Sequence, residues 1–301
     1  MLYLHIGTGK AGSTTIQDFL ADFQHELSHQ QLKSFEIGNA WKISAAAETE
    51  RSYWYWVEQR KILDDASYKE LSSNFWQLVQ KEVEDLGKCD FIASSEYIYM
   101  VYEKNDVAAI HAFKEKLEGI FGEIKVLVYL RNQIDFVKSV YAQRVKGPAR
   151  ETMSFCEYIK NLDKLKVPID YAEQLKYWGE AFGWENIELA VFDRRNFLNS
   201  SLLEDFCHRT NIKFEEKFSE RSQDKSNVSP SYSHINAQRF LNIIRLKYGR
   251  NYALKLIRHL IPPNGYPGEY DDKIRERVST GNKWLNQTFF KNYEVKLPEI
   301  E

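Results

Sequence analysis

Leu2-Tyr3-Leu4-His5-Ile6-Gly7-Thr8-Gly9-Lys10-Ala11-Gly12-Ser13-Thr14-Thr15 opens the chain directly after Met1. Leu2–Ile6 reads as a short strand, and Ser13–Leu27 places Ile16, Phe19, Leu20, Phe23 and Leu27 at helical spacing. Between them lies a loop with glycine at 7, 9 and 12. In a strand–loop–helix unit of this kind, backbone N–H groups and the helix N-terminus cradle a phosphate. Gly7, Gly9 and Gly12 let the backbone approach the anion, and Lys10 supplies a point charge. Thr8 and Ala11 complete the loop, while Ser13, Thr14 and Thr15 offer hydroxyl and amide donors. A nucleoside-triphosphatase loop would read G-x-x-x-x-G-K-[ST]. Here Gly7 and Gly12 keep that spacing, but Ser13 follows the second glycine and the lysine sits inside the loop.

Outward from this unit, short apolar runs alternate with amphipathic segments. Tyr68–Leu86 and Asp106–Phe121 have helical periodicity, and they precede the strand candidates Phe91–Ala93 and Lys125–Leu130. A helix from about Ile134, a looser stretch Gly147–Asp170, a helix around Leu175–Phe182 and a strand Ile187–Phe192 follow. Continuous apolar strands separated by helices predict an α/β fold of the three-layer P-loop type, a central parallel sheet flanked by helices. The last hundred residues read as helical, interrupted at Pro262–Gly268, and Ser219–Ser233 reads as a polar loop. With no sharp break in composition, the expectation is one domain over residues 1–301 with a mainly helical C-terminal third.

Ligands of such sheets bind beyond the carboxyl ends of the strands. No apolar strand ends in the Asp that would hold Mg²⁺. Lys125–Leu130 ends instead in Arg131, a cation suited to a second anion through its planar fork. Asn132 is a helix-capping residue, which puts Ser139 in the second turn of the following helix. Two anion grips on neighbouring strand ends fit a nucleotide phosphorylated at both its 5′ and 3′ positions, with no metal required.

The 301 residues carry 41 Lys+Arg against 43 Asp+Glu, 43% hydrophobic and 14% aromatic side chains. A chain of this size buries about 75% of its unfolded surface, enough for a substantial core. Balanced charge argues against a nucleic-acid partner. Three cysteines, Cys89, Cys156 and Cys207, give neither a disulfide framework nor a zinc-ligand spacing. No apolar run reaches the ~20 residues of a membrane span, which leaves peripheral membrane contact open. The first residues have no basic stretch of a signal peptide, so a cytoplasmic location is expected.

His5 through Thr15 resembles the 5′-phosphosulfate loop of the sulfotransferases that use 3′-phosphoadenosine 5′-phosphosulfate (PAPS), particularly bacterial carbohydrate sulfotransferases. Tyr129-Leu130-Arg131-Asn132-Gln133-Ile134-Asp135 through Ser139 resembles their 3′-phosphate motif, with Gln133 where many relatives have Pro. Ser94-Ser95-Glu96, Asn227–Ser231 and Arg275–Leu285 with Asn282 are similar to further family segments. The resemblance implies PAPS as cosubstrate, bound by Gly7–Thr15, Arg131 and Ser139, and sulfuryl transfer to a hydroxyl of a glycan or glycolipid acceptor. It implies in-line displacement through a loose transition state, with Lys10 stabilising the departing oxygen. Glu96, beside a strand end at the ligand edge, is the candidate general base. His5 reads as a packing residue, and His111, within a helix, as a surface or packing residue.

Tyr53-Trp54-Tyr55-Trp56, with Tyr97, Tyr99 and Tyr102, offers faces for sugar stacking or for the core, and Gln143, Arg144 and Lys146 are candidates for an anionic acceptor. Two other readings stay open: a P-loop kinase or nucleotide hydrolase, and a non-catalytic nucleotide-binding module.

Overall fold

The computed structural model describes residues 1–34, 41–47, 49–53, 56–57, 64–101, 107–219, 231–244 and 250–300. The chain divides into two compact units. One comprises Met1–Arg131, Tyr171–Asp224 and Gln287–Lys296; the other comprises Asn132–Asp170, Lys225–Asn286 and Leu297–Glu301. The two are interleaved along the chain, so neither has a stretch of sequence with a composition of its own.

The first unit is built on five strands: β1 (Leu2–Gly7), β2 (Leu32–Ser34), β3 (Asp90–Ser94), β4 (Ile124–Leu130) and β5 (Ile187–Val191). They form one sheet in the order β2-β3-β1-β4-β5, and every pair is parallel. β1 is buried at all six positions, as a central strand covered on both faces must be. The helices are α1 (Ser13–Asp22), α2 (Gln24–His29), α3 (Trp41–Ala45), α4 (Glu50–Tyr53), α5 (Asp65–Leu86), α6 (Glu96–Val101) and α7 (Val107–Phe121), followed by α10 (Tyr171–Phe182) and α11 (Leu202–Arg209).

Alternation along the strands sorts the two faces. Tyr3, Ile92, Leu127, Tyr129 and Ala190 share a core with Ile16, Phe19 and Leu20 of α1 and Leu203, Phe206 and Cys207 of α11. α7 and α10 pack against each other and against β4 and β5, and α5 packs on α7. The result is the expected three-layer α/β architecture, a parallel sheet between helices. The expected strands agree with the observed ones to within a residue or two at each end. β2 went unread because three residues are too few to show a period of two.

The sheet order matters for function. From β1 the chain runs to β2, and only later returns to β4 on the other side of β1. The carboxyl ends of β1 and β4 therefore flank the point where the direction of winding reverses, the crevice in which open parallel sheets bind ligands.

The second unit contains α8 (Gln133–Lys146), α9 (Phe155–Lys160), α12 (Tyr232–Ile243), α13 (Arg250–Leu260) and most of α14 (Glu269–Thr288). Its core joins Ile134, Val137, Tyr141, Phe155, Tyr158 and Ile274. Asn132 caps α8 by accepting from the Ile134 amide. Ser154 and Glu157 form a reciprocal capping box on α9. Of the polar loop read at Ser219–Ser233, residues 220–230 lie outside the described residues.

Candidate functional site

β1 ends at Gly7 with φ +101°, and the chain then turns left-handed twice more, at Lys10 (φ +66°) and Gly12 (φ +78°). A Cβ on Gly7 would lie 2.8 Å from the Glu96 Cα, and one on Gly12 would meet Leu202 and lie 2.8 Å from Phe192 Cε2. These two glycines are thus required by the packing of the protein as well as by their φ angles. Lys10 has no such exemption, and a side chain held in this region stores strain of the kind found at ligand sites. Thr8 anchors the loop, since both its amide and its hydroxyl donate to the Tyr129 carbonyl at 3.0 Å.

α1 begins without a side-chain cap and with no acidic residue in its first turn. Its first intrahelical bond runs from the Ile16 amide to the Gly12 carbonyl at 3.1 Å. The amides of Ser13, Thr14 and Thr15 thus have no helical carbonyl to bond, and no acidic side chain of the first turn offsets the positive end of the helix dipole. Ser13 is buried, Thr15 half-buried and Thr14 exposed.

Arg131 follows β4 and is half-buried. Its Nη1 donates to the Lys10 carbonyl at 2.7 Å. That bond brings Arg131 to the glycine loop at the sheet edge. Among the described residues Arg131 forms no ion pair, so its charge and its remaining donors are not committed to a carboxylate. Tyr171, the first residue of α10, is buried beside Thr8 and the Arg131 charge; burial pushes its phenol well above its ordinary pKa.

Glu96 starts α6 immediately beyond β3, where the Ser95 amide extends the strand by donating to the His5 carbonyl at 2.9 Å. Its Oε2 accepts from Gln17 Nε2 at 2.8 Å, and the same nitrogen lies 3.3 Å from the Ser94 carbonyl. Gln17 stands one turn after Ser13 on α1, so the helix that follows the glycine loop orients the carboxylate. His5 is buried with Nδ1 2.8 Å from Ser94 Oγ, edge-on to Tyr129 and Phe206. Burial holds its imidazole down to about 3, so it is neutral at physiological pH.

The remaining positions fall as follows. Ser139 lies in the second turn of α8, half-buried, in the second unit. Within that unit Gln133 is fully buried and exchanges amide hydrogen bonds with Asn282 of α14, at 2.7 and 3.1 Å. Gln133 thereby ties α8 to α14. Arg144 is engaged by Glu151 at 3.1 and 3.2 Å. Tyr53 and Trp56 belong to a small apolar cluster with Tyr68, and Tyr99 is buried edge-on to Tyr171. Trp54, Tyr55, Tyr102 and residues 227–230 lie outside the described residues. No group of three or more His, Cys, Asp or Glu able to hold a metal ion occurs among the described residues.

The sequence reading missed Gln17 and Tyr171. Gln17 carries a helical signal only, and Tyr171 follows a stretch with no regular period; both acquire their place through tertiary contacts.

Fold and loop together define an α/β protein with a parallel five-stranded sheet and an open amide cradle after its first strand. No protein-family model matches the chain. An uncharacterized protein of Archaeoglobus fulgidus is 29% identical over 112 residues, 37% of this chain. The match spans 28% of the length of that curated relative. Among solved structures, a sulfotransferase from Alicyclobacillus acidocaldarius is similar at 16% identity and a TM-score of 0.42, over 84% of this chain and 98% of that one. The sulfotransferase domain from the curacin biosynthetic pathway gives 14% and 0.39, over 92% and 96%. Mouse sulfotransferase SULT7A1 complexed with PAP gives 12% and 0.38, over 97% and 85%.

Proposed function

We propose that this chain is a sulfotransferase that moves a sulfuryl group from PAPS to a hydroxyl of a glycan or glycolipid acceptor. The observation that carries the reading is the bond from Arg131 Nη1 to the Lys10 carbonyl. It supports the idea that the strand-end arginine and the glycine loop serve one ligand with two anionic ends.

The donor set present fits PAPS. Free amides at Ser13, Thr14 and Thr15, their hydroxyls and the Lys10 charge suit the 5′ end, and the guanidinium of Arg131 suits a phosphate monoester at the 3′ position. PAPS supplies an activated sulfuryl group whose transfer leaves adenosine 3′,5′-bisphosphate. Lys10 stabilises the charge that gathers on the departing oxygen as the sulfur–oxygen bond breaks. Glu96, oriented by Gln17, takes the proton of the acceptor hydroxyl as that oxygen bonds to sulfur. His5, buried and neutral, supports the strand beneath the loop and takes no part in proton transfer.

A thermal-shift panel tests the reading, because a ligand of the native state raises its melting temperature in proportion to the logarithm of its excess. Adenosine 3′,5′-bisphosphate is expected to stabilise the protein more than ATP or AMP at equal concentration. Selective stabilisation by ATP with Mg²⁺ would contradict it and favour the kinase or hydrolase reading.

A further inference from the structure

The second unit carries an apolar surface that nothing in the sulfuryl-transfer reading uses. Among the described residues, six of the ten exposed large apolar side chains fall between positions 240 and 260: Phe240, Ile243, Ile244, Tyr252, Leu256 and Leu260. Tyr252, Leu256 and Leu260 are spaced four apart and form one stripe along α13, with Tyr252 69% and Leu260 71% exposed. Phe240, Ile243 and Ile244 are spaced three and four apart at the end of α12, the helix that packs on α13. The opposite side of α12 is anchored: Ile235, Leu241 and Asn242 are buried, and Asn242 donates to the carbonyls of Val145 and Glu151 at 3.0 and 2.9 Å. The exposed face is therefore the outward one. Soluble proteins seldom leave so many large apolar groups together in water without a partner.

Charge identifies the partner. Lys225 through Gly268 contains seven cations (Lys225, Arg239, Arg245, Lys247, Arg250, Lys255 and Arg258) and not one Asp or Glu, in a chain whose formal charge is −2. Exposed Lys255 and His259 run alongside the apolar stripe of α13. A second copy of the same face would bring like charges together across a two-fold axis. An anionic lipid surface offers what this face lacks, apolar depth beneath a layer of negative charge. α13 has eleven residues, and no helix among the described residues is long and apolar enough to cross a membrane, so the contact would lie along the surface.

We propose that the α12–α13 face docks on an anionic phospholipid bilayer, with Tyr252, Leu256 and Leu260 entering the headgroup region and Lys255 meeting lipid phosphate. The inference goes beyond the proposed reaction and does not depend on it. The experiment is co-sedimentation of the full chain with vesicles of phosphatidylcholine and phosphatidylglycerol in equal parts, against vesicles of phosphatidylcholine alone. Binding is expected to the anionic vesicles only, to weaken as salt is raised, and to be lost in the double variant Leu256→Glu, Leu260→Glu. Lys255→Glu, at an exposed position where folding is not at risk, should weaken binding by about tenfold. Three results would each overturn the proposal: no sedimentation with anionic vesicles, binding undiminished in both variants, or a wild-type dimer in light scattering that the double variant converts to monomer.

Discussion

The carboxyl ends of β1 and β4 lie side by side in the sheet and are built in opposite ways. After β1 the site is made of backbone: three positive φ angles within six residues, a threonine tied to the neighbouring strand, and helix amides left open. After β4 it is made of one side chain, Arg131, which reaches back to the loop. β3 resembles β4 in this respect, since Glu96 hangs from a short helix and is steered by Gln17. A cradle made of backbone cannot be altered without disturbing the fold, whereas a group carried on a side chain can be removed while the fold stands. Changes at the strand ends should therefore separate into losses of chemistry and losses of stability.

The largest effect is expected at the side-chain positions. Glu96→Gln keeps the shape and the Gln17 contact but loses the base; turnover should fall by roughly 10²–10⁴-fold while nucleotide affinity is retained. Steady-state kinetics with parallel calorimetry checks this, and near-normal turnover would remove Glu96 from the mechanism. Next comes the backbone side of the comparison. Gly7→Ala combines a left-handed φ of +101° with a Cβ 2.8 Å from the Glu96 backbone, so it should cost about 2–4 kcal/mol of stability. Urea unfolding measures the loss, and an unchanged midpoint would show that the two segments part easily.

The smallest effect at neutral pH concerns His5, within β1 two residues before Gly7, because it emerges only in acid. Its folded-state pKa is held at about 3 against an ordinary value of 6.5. The unfolded chain therefore binds a proton that the folded chain refuses. Stability conferred by keeping this ring neutral is present above pH 6.5 and drains away as pH falls from 6.5 toward 3. Acid unfolding of His5→Gln should show a shallower slope across that window. An identical slope would place the acid sensitivity elsewhere.

Legibility followed the range of the interactions involved. The loop, the helix after it and the cap at Asn132 rest on neighbours a few residues apart, and their residue types announce them. β4 was equally plain, because a strand buried on both faces shows a continuous apolar run, here Val126 to Leu130. Gln17 and Tyr171 owe their positions to residues about 80 and 160 apart in sequence, Glu96 and Thr8, and no local pattern encodes such meetings. The glycines taught a related lesson. Their sequence reading concerned an approaching anion, yet Gly7 and Gly12 are also needed to admit Glu96, Leu202 and Phe192. The aromatic run beginning at Tyr53 admits both sugar stacking and packing; Tyr53 and Trp56 pack in a cluster with Tyr68.

The most direct test asks whether the arginine after β4 reads the second phosphate of a ligand held by the loop after β1. Calorimetric titrations of adenosine 3′,5′-bisphosphate and adenosine 5′-monophosphate into the wild-type chain and Arg131→Ala give four dissociation constants. The wild type should prefer the bisphosphate by about 10–100-fold, the worth of a charge-assisted pair, and the variant should lose that preference while holding the monophosphate as before. A preference that survives the loss of Arg131 would contradict the shared site.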